Sequence, residues 1–175
     1  MHLREAQRDM RRAYVNGGVG IFVSGLVWVI AGAVTFYVDL FSGMATLFFG
    51  GMLIHPLSLL LARRVFYRGR ARAPNPLEML ALQSTAFLFI GLAIAYLVSG
   101  TYGDWFFAIT LLAVGARYLV FQTVYGMRLF LMLGLVLIMI AAVALWFGMA
   151  PAFVAFAGGA TELLCSAFIL VPAKR

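Results

Sequence analysis

Residues 129–161 read LFLMLGLVLIMIAAVALWFGMAPAFVAFAGGAT, and no charged side chain interrupts them between Arg128 and Glu162. A helix that crosses a bilayer needs about 20 apolar residues. This stretch is too long for one crossing. Gly148 and Pro151 mark where it turns, giving one span over about 128–147 and another from Pro151 to near Val171, before Pro172. Working back toward the N-terminus, charge-free intervals run from Arg12 to Asp39, from Asp39 to Arg63 and from Glu78 to Asp104, and each fits one helix. The chain has 175 residues, 65% hydrophobic and 11% charged. Soluble domains run near half apolar and a quarter charged. The reading is an all-α integral membrane protein with six transmembrane helices, residues 1–175 forming a single helical-bundle domain.

Outside the spans, residues 2–13 predict a short interfacial helix. Leu3, Ala6, Met10 and Ala13 recur at three and four, with Arg4, Arg8, Arg11 and Arg12 between them. In the first span, about 15–37, Gly18, Gly25 and Gly32 share a face, and small residues let helix backbones approach closely in lipid. That face suits packing within the bundle or between subunits. Ala31-Gly32-Ala33 fits a signal-peptidase site. The apolar run continues to Val38, however, and Glu5 and Asp9 precede it, so a retained helix is expected. The second span covers about 42–62, with Ser42 as its cap and a kink at Pro56. Asn75, Pro76 and Glu78 read as N-cap, N1 and N3 of the third span, to about 98. The fourth covers about 104–124.

Alternation places the N-terminus, the 63–76 loop, the 125–128 turn and the C-terminus on one side. That side holds every Lys and Arg except Arg117, while the turns at 38–42, 99–104 and 147–151 hold none. Positive charge marks the cytoplasmic side, so both termini are expected there, N-in and C-in. Trp28, Trp105, Trp146, Tyr37 and Tyr102 mostly fall toward the opposite ends, as an aromatic belt would. The net charge of +7 is explained by topology and not by a nucleic-acid partner. Partners expected are the lipid bilayer itself and anionic headgroups, through Arg63, Arg64, Arg68, Arg70 and Arg72.

Ionisable groups inside a membrane are costly and usually face the bundle interior. His55, Arg117 and Glu162 fall at a similar depth, with Gln83 near the same level. On the fourth span Arg117, Tyr118, Phe121, Gln122 and Tyr125 share an arc. On the sixth, Gly158, Thr161, Glu162 and Cys165 form a stripe, and on the second Gly51, His55, Ser58 and Ala62 do the same. The fifth span has nothing polar after Arg128 and reads as lipid-facing. His55, Gln83, Arg117, Gln122 and Glu162 are therefore the candidate ligand-binding residues, in a polar layer open toward the cytoplasm. Arg117 would bind an anionic group, or Glu162 and His55 would carry protons.

The sequence leans away from an enzyme. It holds no H-E-x-x-H, G-x-S-x-G or P-loop motif. Two histidines and the lone Cys165 exclude multi-histidine and cysteine-rich metal sites, and no catalytic residue, metal or cofactor is expected.

Gly51 with His55-Pro56-Leu57, Asn75-Pro76-Leu77 with Leu80 and Gln83, and Gly115-Ala116 with the aromatic stretch to Tyr125 carry a resemblance. In their order these features resemble a family of small, uncharacterised bacterial membrane proteins known only as a domain of unknown function. The resemblance implies a polytopic protein of the bacterial cytoplasmic (inner) membrane and supplies no activity. It also implies a histidine where this chain has Arg117, so no role carries over to that position. Two functions remain in play. One is a transporter or ligand-binding protein for a small molecule or ion, built on the polar layer. The other is an assembly protein that forms a homo-oligomer or docks a partner, with Arg117–Glu162 as a structural pair. A lipid-acting enzyme using Glu162 and His55 ranks behind both.

Overall fold

Val15, Asn16 and Gly17 all stand at positive φ and bend the chain between a short N-terminal helix and the first long one. A computed structural model describes residues 2–67 and 75–173. Its helices are α1 (Leu3–Ala13), α2 (Gly18–Tyr37), α3 (Leu40–Phe66), α4 (Pro76–Ser99), α5 (Phe106–Tyr125), α6 (Arg128–Phe147) and α7 (Pro151–Ala173). Single 3₁₀ turns over Val15–Gly17 and Gly103–Trp105 lead into α2 and α5. No strand occurs among the described residues. The helices α2 to α7 are each long and apolar enough to cross a membrane.

The helix ends follow local chemistry. Asn75 caps α4, its side chain accepting from the Leu77 N–H at 3.0 Å, with Pro76 in the first turn as expected. Asp39, and not Ser42, caps α3: its carboxylate accepts the Ser42 N–H at 2.8 Å and the Ser42 hydroxyl at 2.6 Å. Those two bonds hold the Asp39 carboxyl below its usual range. The helix then continues unbroken through Pro56 to Phe66, longer at both ends than the 42–62 expected. Arg63 and Arg64 extend it, since cations in the last turn offset the helix dipole. Gly126 and Gly148, at φ 65° and 60°, end α5 and α6.

Glycine contacts organise the bundle. A Cβ on Gly25 of α2 would lie 3.0 Å from the Gly159 carbonyl oxygen of α7, and one on Gly159 would lie 2.9 Å from the Gly25 carbonyl oxygen. The two backbones therefore touch. Gly18 and Gly32 extend this seam against Ile169 and Phe156. The glycine face read from the sequence is thus a packing face inside the bundle. Gly115 of α5 and Gly134 of α6 form the same reciprocal contact, at 2.9 and 2.7 Å. Accordingly α6 is not simply lipid-facing: it buries Phe130, Leu133, Gly134, Leu137, Ala141 and Ala144. An apolar helix needs no polar residue to find a partner when a glycine lets it approach. Trp28 also departs from expectation, being 2% exposed and packed against Phe107. Tyr37, Tyr102 and Trp146 are exposed at the far ends, as a belt requires.

The packing pattern repeats. Helix α2 packs on α3 and α7, and α5 packs on α6 and α4. Exchanging the first three spans for the last three maps one set onto the other. A repeat of three crossings is necessarily inverted in a membrane, an arrangement common in transporters. Two pairs break the symmetry. Helix α7 packs on α5 more than α4 does on α2. Helices α6 and α7 pack together, whereas their counterparts α3 and α4 face each other across a cleft of about 380 Å³.

Across the end where α4 begins and α5 finishes lies α1. Its stripe Ala6, Met10 and Ala13 is buried against the protein, leaving Leu3 exposed. Asn75 Nδ2 donates to the Ala6 carbonyl at 3.1 Å and to Asp9 at 3.0 Å, and Gln7 donates to the Thr123 carbonyl at 2.8 Å. Arg11 donates to the Tyr125 carbonyl, and the Tyr14 hydroxyl donates to Glu78 at 3.0 Å. Arg63 and Arg64 are exposed, while Arg68, Arg70 and Arg72 lie outside the described residues.

Candidate functional site

Glu162 has no exposed surface at all. Its position on α7 faces inward because Gly158 and Gly159, a turn earlier, let α5 and α2 come close: a Cβ on Gly158 would meet Leu111, and one on Gly159 the α2 backbone. The carboxyl Oε1 accepts the Tyr118 hydroxyl of α5 at 2.7 Å. Ser24 of α2, also buried, lies beside both groups. Oε2 has no hydrogen-bond partner among the described residues. Three helices, α2, α5 and α7, thus converge on one carboxyl, which is bonded to Tyr118 through Oε1 and adjoined by the Ser24 hydroxyl. A buried carboxylate is costly unless it is paired or neutralised, so protonation of this carboxyl is the least demanding way to relieve the unpartnered Oε2.

One residue before Tyr118, Arg117 turns toward α4. Its Nη2 donates to Thr85 Oγ1 at 3.1 Å, and its guanidinium carbon lies 4.9 Å from the Phe121 ring centroid. Its Nε is buried and has no partner among the described residues. Arg117 and Glu162 are within electrostatic reach of each other, but no bond joins them. The structure places Tyr118 on Glu162 where the sequence suggested Arg117. Adjacent positions on a helix point about 100° apart, so α5 directs one side chain to α7 and the next to α4.

The remaining candidates separate. Gln122 is half-buried, one turn beyond Tyr118. His55 and Gln83 are exposed on α3 and α4, and a Cβ on Gly51 would meet nothing within 4 Å, so only the far end of that stripe, half-buried Ser58 and buried Ala62 beside Val15 and Val19, packs into the bundle. His55 does not join Glu162. Nor does the layer open toward the end bearing the termini. There Tyr125 stacks on Phe130 with centroids 4.9 Å apart, Tyr118 and Phe121 pack on the same Phe130 ring, and Met10 of α1 is buried. The cleft lies toward the other end, lined by the start of α3, the end of α4 and Phe106 of α5.

Sequence reasoning did not single out Tyr118, Ser24 or Thr85. Tyr118 stood in the polar arc of the fourth span, and a phenol beside an intramembrane cation was the available signal. Ser24 adjoins Gly25, whose packing role fixes the direction in which Ser24 points. Among the described residues no three His, Cys, Asp or Glu side chains come together to hold a metal.

A family model described as a family of unknown function (DUF7010) matches residues 3–172. No curated protein and no solved structure matches the chain.

Proposed function

Since the chain belongs to the DUF7010 family, whose function is unknown, we propose from its own site that it is a small multi-pass transporter of the bacterial cytoplasmic membrane. Glu162 is its ion-coupling group, and Arg117 contacts the transported ligand. One observation carries the reading: a wholly buried intramembrane carboxyl with one oxygen unpartnered among the described residues, at the junction of α2, α5 and α7. Those helices come from both halves of the repeat, so a change in the charge of Glu162 acts on the seam between halves. By the distribution of Arg and Lys, the end carrying α1 faces the cytoplasm. The bundle is then closed on that side by the Tyr125–Phe130 stack and α1, and open between α3 and α4 toward the other.

A second reading has its own support. The Tyr118–Glu162 bond ties α5 to α7, and could serve packing alone. Breaking such a buried interaction destabilises even where the pair adds little net stability.

A pH jump applied to the protein in sealed membranes on a solid support separates the two. Coupling through Glu162 predicts a transient charge displacement in the wild type that is lost in Glu162→Gln, with the variant still eluting as a folded species. An unchanged transient in Glu162→Gln, or none in the wild type, leaves only the packing role.

A further inference from the structure

The cleft between α3 and α4 has a chemistry that continues beyond its walls. Phe41, Met44 and Phe48 of α3, Phe89 and Tyr96 of α4 and Phe106 of α5 line it. Helical phase extends each wall toward the middle of the bundle. Positions 41, 48 and 55 share a face of α3, because seven residues make nearly two turns. Positions 85, 89, 92 and 96 share a face of α4, and 106, 110, 113 and 117 a face of α5. The Thr110 hydroxyl is occupied by the Phe106 carbonyl at 2.8 Å. The next polar groups along the three walls are therefore His55, Thr85 and Arg117.

Two contacts fix the register of α4 on α5 along this path. A Cβ on Gly91 would lie 2.5 Å from the Ala113 Cβ, and Arg117 donates to Thr85 one to two turns further on. At a rise of ~1.5 Å per residue, Arg117 stands about 16 Å beyond Phe106. The cleft itself is an apolar slot, open sideways between two helices and lined as far as Phe48, Phe89 and Phe106, and the phase of its walls leads from there toward a guanidinium. That guanidinium has no bonded carboxylate, and its Nε has no partner among the described residues. A single cation at the end of an apolar slot is complementary to a single negative charge on one apolar chain. A planar carboxylate suits the guanidinium fork better than a spherical anion does.

We infer that this slot binds a long-chain carboxylate, with its tail between α3 and α4 and its carboxylate on Arg117. Its role as the transported substrate rests on the transporter reading; the binding itself does not. The lateral opening lets such a molecule enter from the bilayer, where it is already dissolved.

The test is photolabelling of the full chain in nanodiscs of zwitterionic lipid, using palmitate with a diazirine near its tail end. Binding in the slot predicts saturable label in the peptides around 41–48 and 89–96. Unlabelled palmitate competes with it and hexadecanol, which lacks the charge, does not. Arg117→Gln lowers the saturable labelling about tenfold or more, as expected for loss of a charge-assisted bond. Ala45→Trp, which fills the cleft and leaves Arg117 in place, abolishes it. Label spread over α6 as well and competed by nothing would mean boundary lipid and overturn the inference. So would equal competition by hexadecanol, or unchanged labelling in Arg117→Gln. Because labelling reads binding and the pH-jump transient reads Glu162, either idea can fail while the other stands.

Discussion

Helices α6 and α7 pack against each other, while α3 and α4, their counterparts in the repeat, stand apart across a cleft. All four are apolar, so hydrophobicity does not distinguish them, and in lipid apolar burial alone drives no association. Placement of small residues does. Helix α7 sets Gly158 against Leu111 of α5 and Gly159 against the α2 backbone, fixing it in the middle of the bundle. Helix α3 turns Gly43 and Gly50 toward α2, and α4 turns Gly91 toward α5, so nothing of this kind draws α3 and α4 together. In their most apolar windows only 11% of α3 and 11% of α4 is buried, against 44% for Pro151–Val171. One side of the bundle is a close-packed seam, and the other holds two flanking helices with a cleft between them. Under the transporter reading proposed above, such an asymmetry is what a protein that moves one half against the other needs in each of its states.

The largest expected effect breaks the seam. Gly25→Leu forces a branched side chain into the Gly159 backbone and should cost about 3 kcal/mol or more, seen as a lower unfolding temperature in detergent. Gly51→Leu, on the open face of α3 where a Cβ meets nothing, should change stability by less than about 0.5 kcal/mol. Equal losses in the two variants would erase the comparison. Next comes the centre. Tyr118→Phe removes the hydroxyl bonded to Glu162 and leaves a buried carboxyl unsatisfied, for a loss of about 1–3 kcal/mol by the same measurement.

Smaller effects sharpen the account at the bundle ends. Asn75→Ala removes both the α4 cap and two anchors of α1, a loss of about 1–2 kcal/mol. Its readout is faster tryptic cleavage after Arg11 and Arg12, with the spans staying protected. The smallest effect lies at Asp39. Its carboxyl is held below the usual 3.8 by the Ser42 bonds, so its contribution is complete above that value and fades as the pH falls through the lowered one. Asp39→Ala should therefore lose stability slightly at neutral pH and match the wild type in acid. A variant gap that widens toward acid would contradict the cap.

Much of this architecture is legible in the sequence. The six spans, the Asn75-Pro76 helix start and the inward stripe of α7 follow from charge spacing and periodicity, which act locally along one helix. What periodicity does not give is which helix lies opposite a given face. Gly51 and His55 have the same spacing as Gly158 and Glu162, yet the first two are exposed and the second two are buried in the core. The exchange of partners at Arg117 and Tyr118 has the same origin. Two neighbours on one helix point to two different helices, and only the packing decides which of them reaches the carboxyl.

The central claim is that the Glu162 carboxyl is chemically available and more than a strut between α5 and α7. Infrared difference spectroscopy across a pH step, on the protein in lipid, reads that carboxyl directly through its C=O stretch. A carboxyl band that appears and disappears with pH in the wild type and is absent in Glu162→Gln is the predicted result. A spectrum with no such band, or one unchanged in Glu162→Gln, would contradict the account and leave Glu162 a packing group.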